Sequence, residues 1–119
     1  MATILLAEDD DAMRLFLYRA LKRAGHSVTA VGDGSTALRH VKTRPYDLLL
    51  SDVVMPGLDG VELARRAADL RPAMKIMFIT GFAAVALNPA NGAPVDAPVV
   101  SKPFHLKDLV TTIEGLLAA

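Results

Sequence analysis

The sequence predicts an α/β fold around a parallel sheet, on three observations. Short β-rich aliphatic runs alternate with longer segments of helical period, the pattern of βαβ units. One run, Leu48-Leu49-Leu50, lacks the alternation of a half-exposed strand and so marks a strand covered on both faces. Glu8, Asp9, Asp52, Thr80 and Lys102 each stand at the end of an apolar run. Parallel sheets gather the carboxyl ends of their strands into one crevice, so these five residues read as one site.

The first strand spans Thr3–Ala7. A helix begins at Asp10 and Asp11, whose charges suit its positive end. It turns Met13, Leu17, Ala20, Leu21 and Ala24 toward the core until Gly25 stops it. Residues 26–31 form the second strand, and Asp33-Gly34-Ser35 leads into a helix carrying Ala37, Leu38 and Val41 that Pro45 closes. The third strand, 47–51, ends at Asp52. Met55-Pro56-Gly57 lies in the loop beyond it, and Asp59 caps a helix that reaches Leu70 before Pro72. The fourth strand covers 75–80 and a short fifth 99–101. A last helix over 105–117 places Leu106, Leu109, Val110, Ile113, Leu116 and Leu117 on its apolar side. Between the last two strands, Pro89, Pro94, Pro98 and an Asn91-Gly92 turn signal leave only 82–87 for an irregular or shortened fourth helix.

At 119 residues the chain is expected to form one domain, 1–119, with no output domain after the fifth βα unit. The absence of cysteine excludes disulfides, thiolate catalysis and zinc-thiolate sites, and it fits a reducing, cytoplasmic setting. Lys plus Arg equals Asp plus Glu at 13 each, which removes any global charge argument for nucleic acid. No apolar stretch reaches the roughly 18 residues of a membrane span, and no basic segment precedes an apolar run as in a signal peptide. Neither nucleic acid nor a membrane is an expected partner.

The five strand-end residues comprise three carboxylates, one hydroxyl and one ammonium. This set suits a hard divalent cation held beside a carboxylate that accepts a phosphoryl group, with Thr80 and Lys102 contacting the incoming oxygens. Unit charges about 4 Å apart interact by roughly 4 kcal/mol at an effective dielectric of about 20, so three clustered carboxylates call for a cation. In attack at phosphorus the equatorial oxygens carry the charge, and a cation, Lys102 and Thr80 would stabilise it from different sides. Taken singly, each acid has a plainer reading as a solvated turn or cap residue; the joint set is what points to chemistry. Asp10 and Asp11 keep the plainer reading. His26, His40 and His105 lack metal-ligand spacing and read as surface or packing residues.

Four segments carry a family resemblance: Ile4-Leu5-Leu6-Ala7-Glu8-Asp9 followed by Arg14; Leu50-Ser51-Asp52-Val53-Val54-Met55-Pro56-Gly57-Leu58-Asp59-Gly60; Phe78-Ile79-Thr80-Gly81; and Ser101-Lys102-Pro103-Phe104. On these the whole chain resembles the receiver domains of two-component response regulators. The resemblance implies a flavodoxin-like, doubly wound, five-stranded parallel sheet of order 2-1-3-4-5. It implies Asp52 as phosphoacceptor and Glu8 and Asp9 as the acid pair for Mg²⁺, with Asp52 and the backbone carbonyl of Val54 as further ligands. Thr80 is then the switch hydroxyl and Lys102 the phosphoryl-binding ammonium, with a cis bond before Pro103. The implied donor is a histidine kinase or histidine phosphotransfer protein. Within the family, residues 81–89 and 102–106 are most similar to a stand-alone receiver that controls regulated proteolysis by ClpXP, which implies the protease unfoldase ClpX or its substrates as partner. The chain is thus expected to be a phosphorylation-gated signalling switch and not an enzyme, beyond uptake of phosphate from donors and self-dephosphorylation.

Many receivers carry Tyr or Phe three residues before the lysine, where this chain has Val99. The usual aromatic relay is absent, and Phe82 is the candidate to report movement at Thr80. The alternative reading is a constitutive, phosphate-independent protein-interaction module on the same fold. An aspartyl-phosphate phosphatase of the haloacid-dehalogenase type would need an Asp-x-Asp pair, which Asp52-Val53-Val54 breaks. A flavodoxin-type cofactor carrier would need a hydroxyl- or glycine-rich phosphate loop where this chain has Glu8-Asp9-Asp10-Asp11. The tail Leu116-Leu117-Ala118-Ala119 reads as a helix end. It also resembles the apolar tags ending in Ala-Ala that ClpX-type unfoldases engage, which makes Ala118 and Ala119 a candidate degradation tag.

Overall fold

The computed structural model describes residues 1–81 and 97–118. The expected irregular helix and Phe82 lie outside the described residues, as does Ala119. Strands β1 (Thr3–Ala7), β2 (Ser27–Val31), β3 (Leu48–Ser51), β4 (Lys75–Thr80) and β5 (Val99–Ser101) form one parallel sheet in the order β2-β1-β3-β4-β5. The described helices are α1 (Asp11–Arg23), α2 (Gly34–Thr43), α3 (Gly60–Leu70) and α4 (Leu106–Ala118).

The sheet is covered on both faces, and the central strands show why. In β3, Leu49 points into a cluster with Leu5, Phe78 and residues of α2 and α3 such as Leu38 and Leu63. Leu48 and Leu50 point the other way, against Ile4, Leu6, Met77 and residues of α1 and α4 such as Leu17 and Ile113. Side chains alternate across a strand, so a strand buried on both faces is apolar at every position. Burying each of these leucines contributes about 1.5–3 kcal/mol.

Each of the first three β-to-α turns is closed by an aspartate cap. Asp10, Asp33 and Asp59 accept hydrogen bonds from the amides of Met13 (3.0 Å), Thr36 (2.7 Å) and Glu62 (2.9 Å). These caps satisfy amides that a helix start leaves without partners, and they hold the helix starts at the carboxyl edge of the sheet. At its other end α1 stops at Gly25, whose φ of 102° suits glycine. Ala24, expected in the core, is instead the exposed C-cap of α1, because the helical period ends one residue earlier than its apolar pattern does.

Asp33→Ala should cost about 1 kcal/mol at neutral pH, the usual worth of such a cap. Hydrogen bonds from the Thr36 amide and hydroxyl hold the Asp33 carboxyl below its ordinary 3.8. Folding therefore favours the ionised form, a contribution present above 3.8 and lost as pH falls through the lower folded value. Urea titrations of the two proteins should converge on acidification, whereas a gap independent of pH would show that the ionised carboxylate is not what caps the helix.

Candidate functional site

The strands deliver their polar ends to one crevice by different routes. After β1 the Glu8 amide donates to the Val31 carbonyl (3.1 Å), which turns the Glu8 side chain inward until only 1% of the residue is exposed. Its Oε2 accepts from the Asp10 amide (3.1 Å). After β3 the Asp52 amide donates to the Ala7 carbonyl (3.0 Å), and its side chain, with the residue 9% exposed, accepts from the Val53 amide through Oδ1 (2.7 Å). Thr80 ends β4, fully buried beside Ser101 of β5. The Lys102 amide donates to the Thr80 carbonyl (2.9 Å), and the Lys102–Pro103 bond is cis, as the resemblance implies.

The ammonium of Lys102 bridges the two buried acids. Its Nζ donates to Glu8 Oε1 (2.8 Å) and to Asp52 Oδ2 (2.9 Å). Burial pulls the Lys102 pKa down, but the hydrogen bonds and charges of Glu8 and Asp52 outweigh it and leave the group raised. Burial also raises the Glu8 carboxyl above its ordinary value against the lowering influence of Lys102. Asp9 is exposed at the mouth, and one carboxylate oxygen from each of Glu8, Asp9 and Asp52 lies within 4.8 Å of the others. With all four groups ionised, three carboxylates and one ammonium leave two negative charges, the complement of a divalent cation. The donors are all oxygen, which fits Mg²⁺.

Val54 lies two residues beyond Asp52 with its side chain half exposed. Val99 pairs with Phe78 and packs against the cluster around Leu49. The structure thus brings Glu8, Asp9, Asp52, Thr80 and Lys102 together, places Val54 at the rim and sets Val99 into the core edge.

Three residues that shape the site were given no role in the sequence reading. Ser51 Oγ donates to the Asp52 carbonyl (2.8 Å). Gly60 donates its amide to the Val53 carbonyl (2.7 Å), and a Cβ on it would fall 1.8 Å from the Asp52 carbonyl oxygen. Arg14 reaches back to the Glu8 carbonyl (2.9 Å). Only Gly60 has a local signal, a glycine directly after a capping aspartate; the contacts of Ser51 and Arg14 depend on how the chain closes.

Similarity to known proteins agrees with this geometry. The family model of the response regulator receiver domain matches residues 4–114. The chain is 59% identical to the response regulator receiver protein CpdR of Brucella abortus, over 100% of this chain and 99% of that protein. A crystal structure of a response regulator receiver protein from Sinorhizobium medicae superposes with a TM-score of 0.89 at 36% identity, covering 98% of this chain and 94% of that one. The response regulator TrrA of Thermotoga maritima, solved in complex with Mg²⁺ and BeF, superposes with a TM-score of 0.87 at 26% identity, covering 98% and 99%. By the family match along nearly its whole length, and by the sheet order it shares with these neighbours, the chain belongs to the response regulator receiver domains of two-component systems.

Proposed function

We propose that this receiver is a phosphorylation-gated switch with Asp52 as its acceptor. Phosphorylation switching is general in the family, and receiver domains bind Mg²⁺ at an acidic site. The observation that carries the assignment is the place of Asp52: a carboxylate at the end of the central strand, shared between Lys102 Nζ and the oxygen cluster of Glu8 and Asp9. Glu8, Asp9 and Asp52, with the backbone carbonyl of Val54, would hold Mg²⁺, which when bound neutralises charge on the phosphoryl oxygens. A carboxylate oxygen of Asp52 attacks phosphorus, the bond to the donor breaks with its electron pair left on the donor, and an acyl phosphate forms. Lys102 can exchange its carboxylate contacts for a phosphoryl oxygen, and the Thr80 hydroxyl donates to another.

In this reading residues 1–119 act as one cytoplasmic receiver, and switching is read as an altered surface. A histidine kinase or histidine phosphotransfer protein serves as donor. Full-length similarity to CpdR supports regulated proteolysis as the output, with ClpX or its substrates as the partner. Leu116 and Leu117 pack against the cluster around Leu50, and α4 continues to Ala118, so use of Ala118 and Ala119 as a tag requires the last turn to open.

Incubation with Mg²⁺ and acetyl phosphate should add the mass of one phosphate to the wild type and none to Asp52→Ala. A wild type that gains nothing, or a gain that survives the substitution, would overturn the assignment.

A further inference from the structure

Asp9 is the exposed acid of the cluster, and its direction depends on the backbone that carries it. That backbone is clamped from α1. Arg14 Nη1 donates to the Glu8 carbonyl (2.9 Å), the oxygen of the peptide that links Glu8 to Asp9. Its other arm, Nη2, donates to Asp11 Oδ1 (2.5 Å), so one planar guanidinium spans the loop from the end of β1 to the first turn of α1. The fit is close: a Cβ on Gly32, at the end of β2, would lie 3.1 Å from Arg14 Nη1. The guanidinium occupies the gap that this glycine leaves. On the inner side of the same loop, Glu8 Oε2 accepts from the Asp10 amide. The Glu8–Asp10 turn is therefore pinned twice, by Arg14 from outside and by the Glu8 carboxylate from within.

We infer that Arg14 is a positioning residue for the divalent cation, acting through the Glu8–Asp9 peptide to hold the Asp9 carboxylate in the cluster. The inference rests on the proposed reading of Glu8, Asp9 and Asp52 as the cation site. Its physical content is a conflict between geometry and charge. Arg14 is a cation beside an acidic cluster, so by Coulomb's law alone its removal should strengthen binding of Mg²⁺. As a clamp, its removal should weaken binding, because a carboxylate on a loosened loop must be ordered again when the ion arrives.

Two substitutions separate these effects. Arg14→Gln removes the charge and the two-armed reach; Arg14→Lys keeps the charge and loses the planar fork. The measurement is a titration of the apo protein with MgCl₂ alone, following amide shifts of Asp9, Asp10 and Val53 by NMR, with thermal unfolding recorded in parallel. Both variants should need about tenfold more Mg²⁺ for half-saturation, the usual size of losing a group that orients a metal ligand. Tighter Mg²⁺ binding by Arg14→Gln, or unchanged binding by Arg14→Lys, would overturn the inference whatever happens to the melting temperature. A wild type whose amides around Glu8, Asp9 and Asp52 do not respond to Mg²⁺ would overturn the cation-site reading itself, and this inference with it.

Discussion

Lys102→Met should lower the rate of phosphate uptake from acetyl phosphate by about a hundredfold to a thousandfold, the scale for deleting one preorganised group that stabilises charge in a transition state. Methionine keeps much of the length and apolar stem of lysine and removes only the ammonium, so the loss isolates the charge. Binding of Mg²⁺ should survive and tighten, since Lys102 and the cation compete for Glu8 and Asp52. Stability without Mg²⁺ should fall, because a buried acid pair stripped of its counter-charge costs about 3–5 kcal/mol if both groups stay ionised. Glu8 offers relief by taking a proton. Its folded pKa already lies above 4.5, chiefly through burial, so folding favours its protonated form. That contribution is fully present below 4.5 and is lost as pH rises through the folded value. The variant should therefore recover stability on mild acidification more than the wild type does. Time-resolved mass spectrometry at saturating Mg²⁺ reads the rate, and an unchanged rate would remove Lys102 from the transfer step.

Gly60→Ala should destabilise the protein by about 2–3 kcal/mol, the upper range for forcing an extra group into a filled space. A Cβ there meets the Asp52 carbonyl oxygen at 1.8 Å, the Asp52 carbonyl carbon at 2.8 Å and Val53 Cα at 2.9 Å. All three are backbone atoms of the segment that presents the Asp52 carboxylate, so no side chain can swing aside. Helix propensity acts in the opposite direction, favouring alanine by about 1 kcal/mol inside a helix. Gly115 in α4 supplies the internal comparison, for a Cβ there meets nothing within 4 Å. Gly115→Ala should stabilise where Gly60→Ala destabilises. Urea unfolding of the two variants tests this, and equal midpoints would show that the loop around Asp52 yields to α3.

The sheet and the meeting of strand-end side chains at one crevice were legible because both depend on local pattern. Residues 75–80 and 99–101 form the expected strands, Leu48-Leu49-Leu50 divides between two clusters as a doubly covered strand must, and the strand-end polar residues converge. What escaped depends on closure of the chain. The bridge from Lys102 to Glu8 and Asp52, 94 and 50 positions away, is one such contact. No periodicity encodes such a contact. Ala24 shows the reverse limit: an alanine extends an apolar stripe on paper, but at a C-cap it has no core to meet. Gly60 and Arg14 act on the backbone of other residues, and side-chain type carries little information about that.

The three aspartate caps have a consequence at the scale of the whole molecule. In a βα fold every helix starts at the edge where its strand ends, so Asp10, Asp33 and Asp59 collect at the same pole as Glu8, Asp9 and Asp52. The last turns of α1 and α2 carry Lys22, Arg23 and Lys42 to the opposite pole. A chain with a formal net charge of zero is thereby polarised along its strands. Within a Debye length of about 8–10 Å, a charged neighbour meets an oriented object and not a neutral one, and added salt removes the orientation without changing any net attraction.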